Sequence, residues 1–113
     1  MGLTNSVTDW KMKKVTGTTA QLVLGAGDVF GGLFMSVAGT TTTVACYDAL
    51  SALAIQLFIP TTATLTAGQY VSPTGSVVPI TASRDLSAGV ILSTGLWMVI
   101  GGSASPTFWV LYK

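Results

Sequence analysis

The sequence predicts an all-β fold, an antiparallel β-sandwich of about eight to nine short strands behind an N-terminal arm. Three observations predict it. Thr, Ser and 13 glycines dominate the polar positions, which is the composition of strands joined by tight turns. Helix formers are scarce, since the chain has no Glu and, outside residues 49–54, no stretch with a 3.6-residue apolar stripe. Turn-forming residues recur about every ten residues between β-rich runs, the spacing of a sandwich or barrel.

In chain order, residues 1–14 are polar and irregular apart from Trp10 and read as the arm, and residues 15–113 form the sandwich domain. Nine segments read as strands: 20–24, 32–38, 42–47, 55–59, 69–72, 77–81, 90–92, 96–100 and 107–112. Gly25-Ala26-Gly27-Asp28 and Gly31-Gly32 supply positions that tolerate positive φ. Ser72-Pro73-Thr74-Gly75 places Pro and Gly as a β-turn requires, and Gly101-Gly102-Ser103 starts the final hairpin turn. Residues 49–54 fit either a helical turn or a loop. Thr40 to Thr43 read as the exposed start of a strand, because a ligand-binding Thr ladder would need repeats that the chain lacks.

At 113 residues the chain has room for one domain. Only 8% of its residues are charged, against about 25% in an ordinary soluble domain. Half are apolar, and a domain of this size leaves roughly a third of its unfolded-chain surface exposed. Apolar side chains therefore stay outside unless a second copy or a larger partner covers them. The late strands show where. Residues 96–100 and 107–112 are apolar at nearly every position, although successive strand side chains point to opposite faces. If Leu96, Met98 and Ile100 face the core, Trp97 and Val99 face a partner; the opposite register reverses them. The candidate subunit-interface residues are Trp97, Val99, Trp109 and Leu111, and the two tryptophans suit core or interface better than a sugar platform.

A net charge of +1 does not suit nucleic acid, which needs clustered cations along the phosphates. The one cluster, Lys11, Lys13 and Lys14, stands beside Trp10. An aromatic anchor next to positive charge suits an acidic protein surface, so Trp10, Lys11, Lys13 and Lys14 are the candidate docking residues; the alternative is a tail that merely carries a Trp.

Catalytic chemistry is hard to build from this chain. General acid–base work draws on His or a tuned Glu, and both are absent. Asp9, Asp28, Asp48 and Asp85 are scattered beside turn-forming neighbours, where Asp bonds backbone N–H groups. Cys46 has no second Cys to pair with and no His for a zinc site, and reads as a small buried side chain, in keeping with a reducing cytoplasm. Gly25-Ala26-Gly27 begins a dinucleotide fingerprint, but Phe30 occupies its third glycine position and no helical pattern follows. There is no nucleophile elbow and no Walker-type Lys, and Asn5-Ser6-Val7 lacks the Ser or Thr of a glycosylation site. No enzyme activity and no cofactor or metal are expected.

Residues 86–112 carry no charge, which is long enough to raise a membrane helix. Within that stretch Ser93, Thr94, Gly95, Gly101, Gly102, Ser103, Ser105 and Pro106 fall at a density that marks turns between strands, so no membrane partner is expected. Residues 1–14, with Asp9 and no apolar core, do not read as a secretory signal.

Three runs carry a resemblance: LVLGAGDVFGGLF at 22–34, VACYD at 44–48 and STGLWMVIGG at 93–102, closed by a short strand ending in Tyr112. Over residues 18–113 the chain resembles small virion proteins of tailed bacteriophages, the head decoration or cement proteins. The likeness is one of overall texture. It implies a jelly-roll-like sandwich, homotrimers bound to the major capsid protein on the capsid exterior, assembly in the host bacterial cytoplasm, and reinforcement of the shell against internal DNA pressure. The expected function is therefore a non-enzymatic structural virion protein. The alternative is a receptor- or glycan-binding module of a head or tail fibre, with loops 61–67 or 72–76 as its site.

Overall fold

The computed structural model describes residues 10–52, 56–79 and 89–113. Within them the chain is all-β, with β1 (Lys11–Thr16), β2 (Gln21–Gly25), β3 (Val29–Val37), β4 (Thr40–Asp48), β5 (Leu57–Ile59), β6 (Gln69–Val71), β7 (Val77–Pro79), β8 (Val90–Ile91), β9 (Gly95–Ser103) and β10 (Thr107–Tyr112). They form two antiparallel sheets, one ordered β1-β10-β3-β6-β7 with β8 also paired to β3, the other ordered β2-β9-β4-β5. No helix among the described residues is long and apolar enough to cross a membrane.

The long strands set the core by alternation. In the four-stranded sheet Val44 lies opposite Ile100 and Cys46 opposite Met98, and all four point inward with Leu96. In the other sheet Phe108 lies opposite Met35 and Val110 opposite Leu33, and these meet the first set in one apolar cluster. Phe30 and Phe58 contribute an edge-to-face contact with ring centroids 5.9 Å apart. Each large side chain buried here contributes about 1.5–3 kcal/mol relative to exposure, and Phe30, Leu33, Met35, Ile59, Leu96, Met98 and Phe108 are all fully buried. Inside such a core the Cys46 thiol is held neutral, because burial pushes its pKa far above the ordinary thiol range.

All nine expected strand segments coincide with observed strands, and the last matches residue for residue. Residues 55, 80 and 81 of those expectations lie outside the described residues. Residues 49–52 are neither helix nor strand, and residues 53 and 54 of that segment are likewise outside.

Three expectations change. The arm was expected to run to residue 14, yet Lys11–Thr16 form an edge strand paired along its whole length with β10, from Lys11 opposite Tyr112 to Thr16 opposite Thr107. Without β1, β10 would present a row of unpaired backbone groups. Gly31-Gly32 was expected to punctuate the chain before a strand starting at Gly32, but that strand already runs from Val29 and buries both glycines, with Gly32 at positive φ. Their lack of a side chain makes room for two rings: a Cβ on Gly31 would run into Trp10, and one on Gly32, at φ +104°, into Tyr70. Thr42, expected to be exposed, is fully buried. Thr40 pairs with Ser103 and Thr43 with Gly101, so Thr41 and Thr42 together oppose Gly102 in a β-bulge. The bulge turns Thr42 inward, where its Oγ1 accepts the Gly39 N–H at 3.1 Å and its carbonyl accepts the Leu65 N–H at 2.8 Å.

Gly102 holds that bulge at φ +101°, and a Cβ there would press on the Thr40 and Thr41 carbonyl oxygens. Gly102→Ala is therefore expected to destabilise the protein by about 1–3 kcal/mol, read as a lower midpoint in urea unfolding with an unchanged slope.

Candidate interaction surfaces

With the inward sets assigned, the outward sets follow. β9 presents Trp97 and Val99 on the outer face of the four-stranded sheet, both half-buried. β10 presents Trp109 and Leu111 on the outer face of the other sheet. The four candidate interface residues thus lie on opposite sides of the sandwich and make two patches.

On the six-stranded sheet part of the outer surface is closed from within the chain, while Met12 and Ile91 stay exposed. Trp10 is only 7% exposed and packs with Tyr70 and Leu111, flanked by Val29, Phe34 and Val78. Tyr70 donates its hydroxyl to the Gly31 carbonyl at 2.6 Å, fixing its ring over the glycine pair. Trp10 was expected to anchor the chain on a foreign surface, and Leu111 to face another subunit. Both expectations are corrected by one contact: the indole finds its apolar partner in its own sheet and covers Leu111. This fit is incomplete in one respect. Among the described residues the buried Trp10 Nε1–H finds no hydrogen-bond acceptor, a defect that costs about 1–3 kcal/mol.

The lysines collect along the β1-β10 edge of this sheet. Lys11 Nζ lies 6.0 Å from the Tyr112 ring centroid, Lys14 Nζ 5.9 Å from that of Trp109, and Lys113 Nζ 4.6 Å from that of Trp10. These are cation–π distances, and each ring face holds a positive charge close to the surface. Lys13 differs. Its ammonium crosses the edge of the sandwich and donates to the Val23 carbonyl at 2.9 Å, where β2 slips register between Leu22 and Leu24. Of the four candidate docking residues, Lys14 lies on the outer face beside Trp109, Lys11 is exposed at the sheet edge on the core-facing side beside Tyr112, Lys13 ties β1 to β2, and Trp10 is interior. Trp109 donates its Nε1–H to Ser36 Oγ at 3.1 Å.

The acidic groups among the described residues serve turns; Asp9 and Asp85 lie outside them. Asp28 accepts the Gly25 N–H at 3.0 Å. Asp48, at the end of β4, accepts the N–H groups of Ser93, Thr94 and Gly95 at 2.9, 2.8 and 3.2 Å. Partial burial raises its pKa, and the three N–H bonds together outweigh that and hold the carboxyl below its ordinary value. Among the described residues no cluster of three or more His, Cys, Asp or Glu could hold a metal ion. The loop at 72–76 spends its polar atoms on itself: Ser72 Oγ accepts the N–H groups of Thr74 and Ser76 and bonds the Thr74 hydroxyl. In the 61–67 loop, Thr66 donates its N–H to Gln69 Oε1, and Thr62 Oγ1 accepts the Val44 N–H.

Sequence reasoning missed Leu22, Tyr47 and Leu57, which join Trp97 on the outer face of the four-stranded sheet. Each is unremarkable alone, and only strand pairing brings them together. The chain matches no protein-family model, and no curated protein or solved structure was found to match it.

Two measurements check this surface. Trp10→Ala is expected to lose about 3–5 kcal/mol in chemical unfolding, whereas Trp10→Phe keeps the ring, removes the unpaired N–H and stays within about 1 kcal/mol of the parent. For Asp48 the folded pKa is depressed, so its stabilisation is complete above the ordinary carboxylate pKa of about 3.9 and fades as pH falls through the lower folded value. Stability from pH 7 down through that range is expected to decline less steeply in Asp48→Asn than in the parent, with the variant less stable at pH 7.

Proposed function

We propose that this protein is a structural accessory protein of a tailed-phage virion, a decoration or cement protein that binds the outer surface of the capsid. The observation that carries the reading is the collection of positive charge along the β1-β10 edge of the sandwich. Lys11, Lys14 and Lys113 stand over aromatic rings on the sheet partly closed by Trp10. A cation held against a ring face keeps an apolar, shape-fitting surface around it, which suits docking on an acidic protein shell better than a mobile ammonium would.

Strand order supports a finer reading of the fold. β1 with β10, β2 with β9, β3 with β6, and β4 with β5 pair like rungs of one folded-over ribbon. Rolling that ribbon sets β10 beside β3 and β9 beside β4. We read this order as jelly-roll connectivity, an architecture of viral shell proteins and of lectins. Because the fold serves both, the charged edge and not the fold decides between them. In this reading the protein is not an enzyme. It works by occupying a site on the major capsid protein, and copies associate with one another on the shell.

The test is occupancy on purified heads. Lys11→Glu with Lys14→Glu should leave the β-sheet circular dichroism unchanged and reduce binding about tenfold or more, since each exposed charge pair contributes up to about 1 kcal/mol and reversal adds repulsion. Parent binding should weaken as salt rises. Occupancy unaffected by both charge reversal and salt would refute attachment through this edge.

A further inference from the structure

The outer face of the β2-β9-β4-β5 sheet carries a row of four large side chains, one from each strand. Leu22 lies opposite Trp97, Trp97 opposite Tyr47, and Tyr47 opposite Leu57. The row points away from the core, because Leu96, Met98 and Cys46 beside it in sequence point in. Its ends are open, with Leu22 47% and Leu57 39% exposed. In the neighbouring row Val99 lies opposite Ala45, and beyond that Gly101 opposite Thr43.

Among the described residues none of the charged side chains stands on this face. Lys11, Lys13 and Lys14 belong to β1 of the other sheet, and Lys113 follows β10. Asp28 closes the turn at Gly25 and Asp48 binds the 93–95 backbone. The two sheets therefore differ in charge: one carries the lysines at its β1-β10 edge, and among the described residues the outer face of the other carries none.

We propose that a second copy of this chain packs on the open face, sheet against sheet about a two-fold axis, with Trp97 near the centre. The proposal rests on the reading that copies associate, and it names the surface they use. Charge selects the occupant. A charged partner would leave its own charges desolvated and unmatched on this face, while joining the lysine-bearing edges of two copies would set like charges together. An uncharged face meets its own kind with neither penalty. A face that binds itself is isologous, so the assembly closes as a dimer and departs from the trimer that the phage resemblance implies.

Size sets the strength. Four strands about 4.8 Å apart and three rows of side chains make a footprint of roughly 400 Å² per copy. Two such faces bury on the order of 800–1,000 Å², the scale of weak, reversible interfaces. The pair is expected to form at tens of micromolar and to separate on dilution.

Sedimentation equilibrium of the full chain from about 1 to 300 μM tests this. The expected result is a monomer–dimer equilibrium that Trp97→Lys weakens at least about tenfold, and that Val37→Lys, on an exposed position of the other sheet, leaves unchanged. If Trp97→Lys alters the circular dichroism, Leu22→Lys combined with Leu57→Lys takes its place, because both positions are solvent-exposed. A trimer, a monomer at every concentration, or a dimer indifferent to the row substitutions overturns the proposal. No shells enter this measurement, so its failure leaves attachment through Lys11 and Lys14 standing. Equally, a dimer that keeps the row dependence but ignores capsids would overturn only the attachment.

Discussion

Both sheets of this protein are apolar on both faces, and that constraint governs the rest of the molecule. A strand alternates its side chains between two sides, so burying Leu96, Met98 and Ile100 in the core obliges Trp97 and Val99 to point out. Burying Phe108 and Val110 does the same to Trp109 and Leu111. The chain answers on one side by folding Trp10 over its own sheet. That answer depends on Gly31 and Gly89, where a side chain would meet the indole, and it accepts an unpaired N–H in exchange for closing the apolar surface over Leu111 and Tyr70. On the other side nothing among the described residues plays the part of Trp10.

Fold class was legible because it depends on local signals. Turn residues and β-branched runs mark strands one at a time, and the expected segments coincide with observed strands throughout. What was illegible needed partners. β1 reads as a polar tail because Lys11 and Lys13, although on the core-facing side of the strand, sit at an edge where long side chains reach out to solvent or a neighbour. Only Val15 in that strand is buried, so no alternation shows. Gly31-Gly32 reads as punctuation for a similar reason. A glycine pair signals permissive backbone, and only the tertiary structure shows that the permission is used for the close approach of Trp10 and Tyr70.

The candidate surfaces divide along the same line. Doubly apolar late strands were visible in the sequence, but not that β9 and β10 belong to different sheets, which separates Trp97 and Val99 from Trp109 and Leu111. The Leu22–Trp97–Tyr47–Leu57 row draws on four strands whose adjacency no local pattern encodes. The lysine cluster was visible too, with one member reassigned: Lys13 holds the slipped carbonyl of Val23, so part of the charge at this edge is structural.

An apolar sandwich with few charges invites association through its edges as well as its faces, and the edges are the more hazardous because strand addition has no natural end. Each described edge is made a poor template. β1 carries three lysines, β2 is broken by a register slip with its free carbonyl already bonded, and β5 and β7 are three residues long, β7 ending in a proline. The loop after β5 continues the protection, with the Thr62 and Leu65 N–H groups donating to the Val44 and Thr42 carbonyls along β4. The edges are thereby made poor sites for association that would propagate. Among the described residues three of the four lysines stand on β1, where strand addition must be blocked, and Asp28 and Asp48 are taken up by turn backbone.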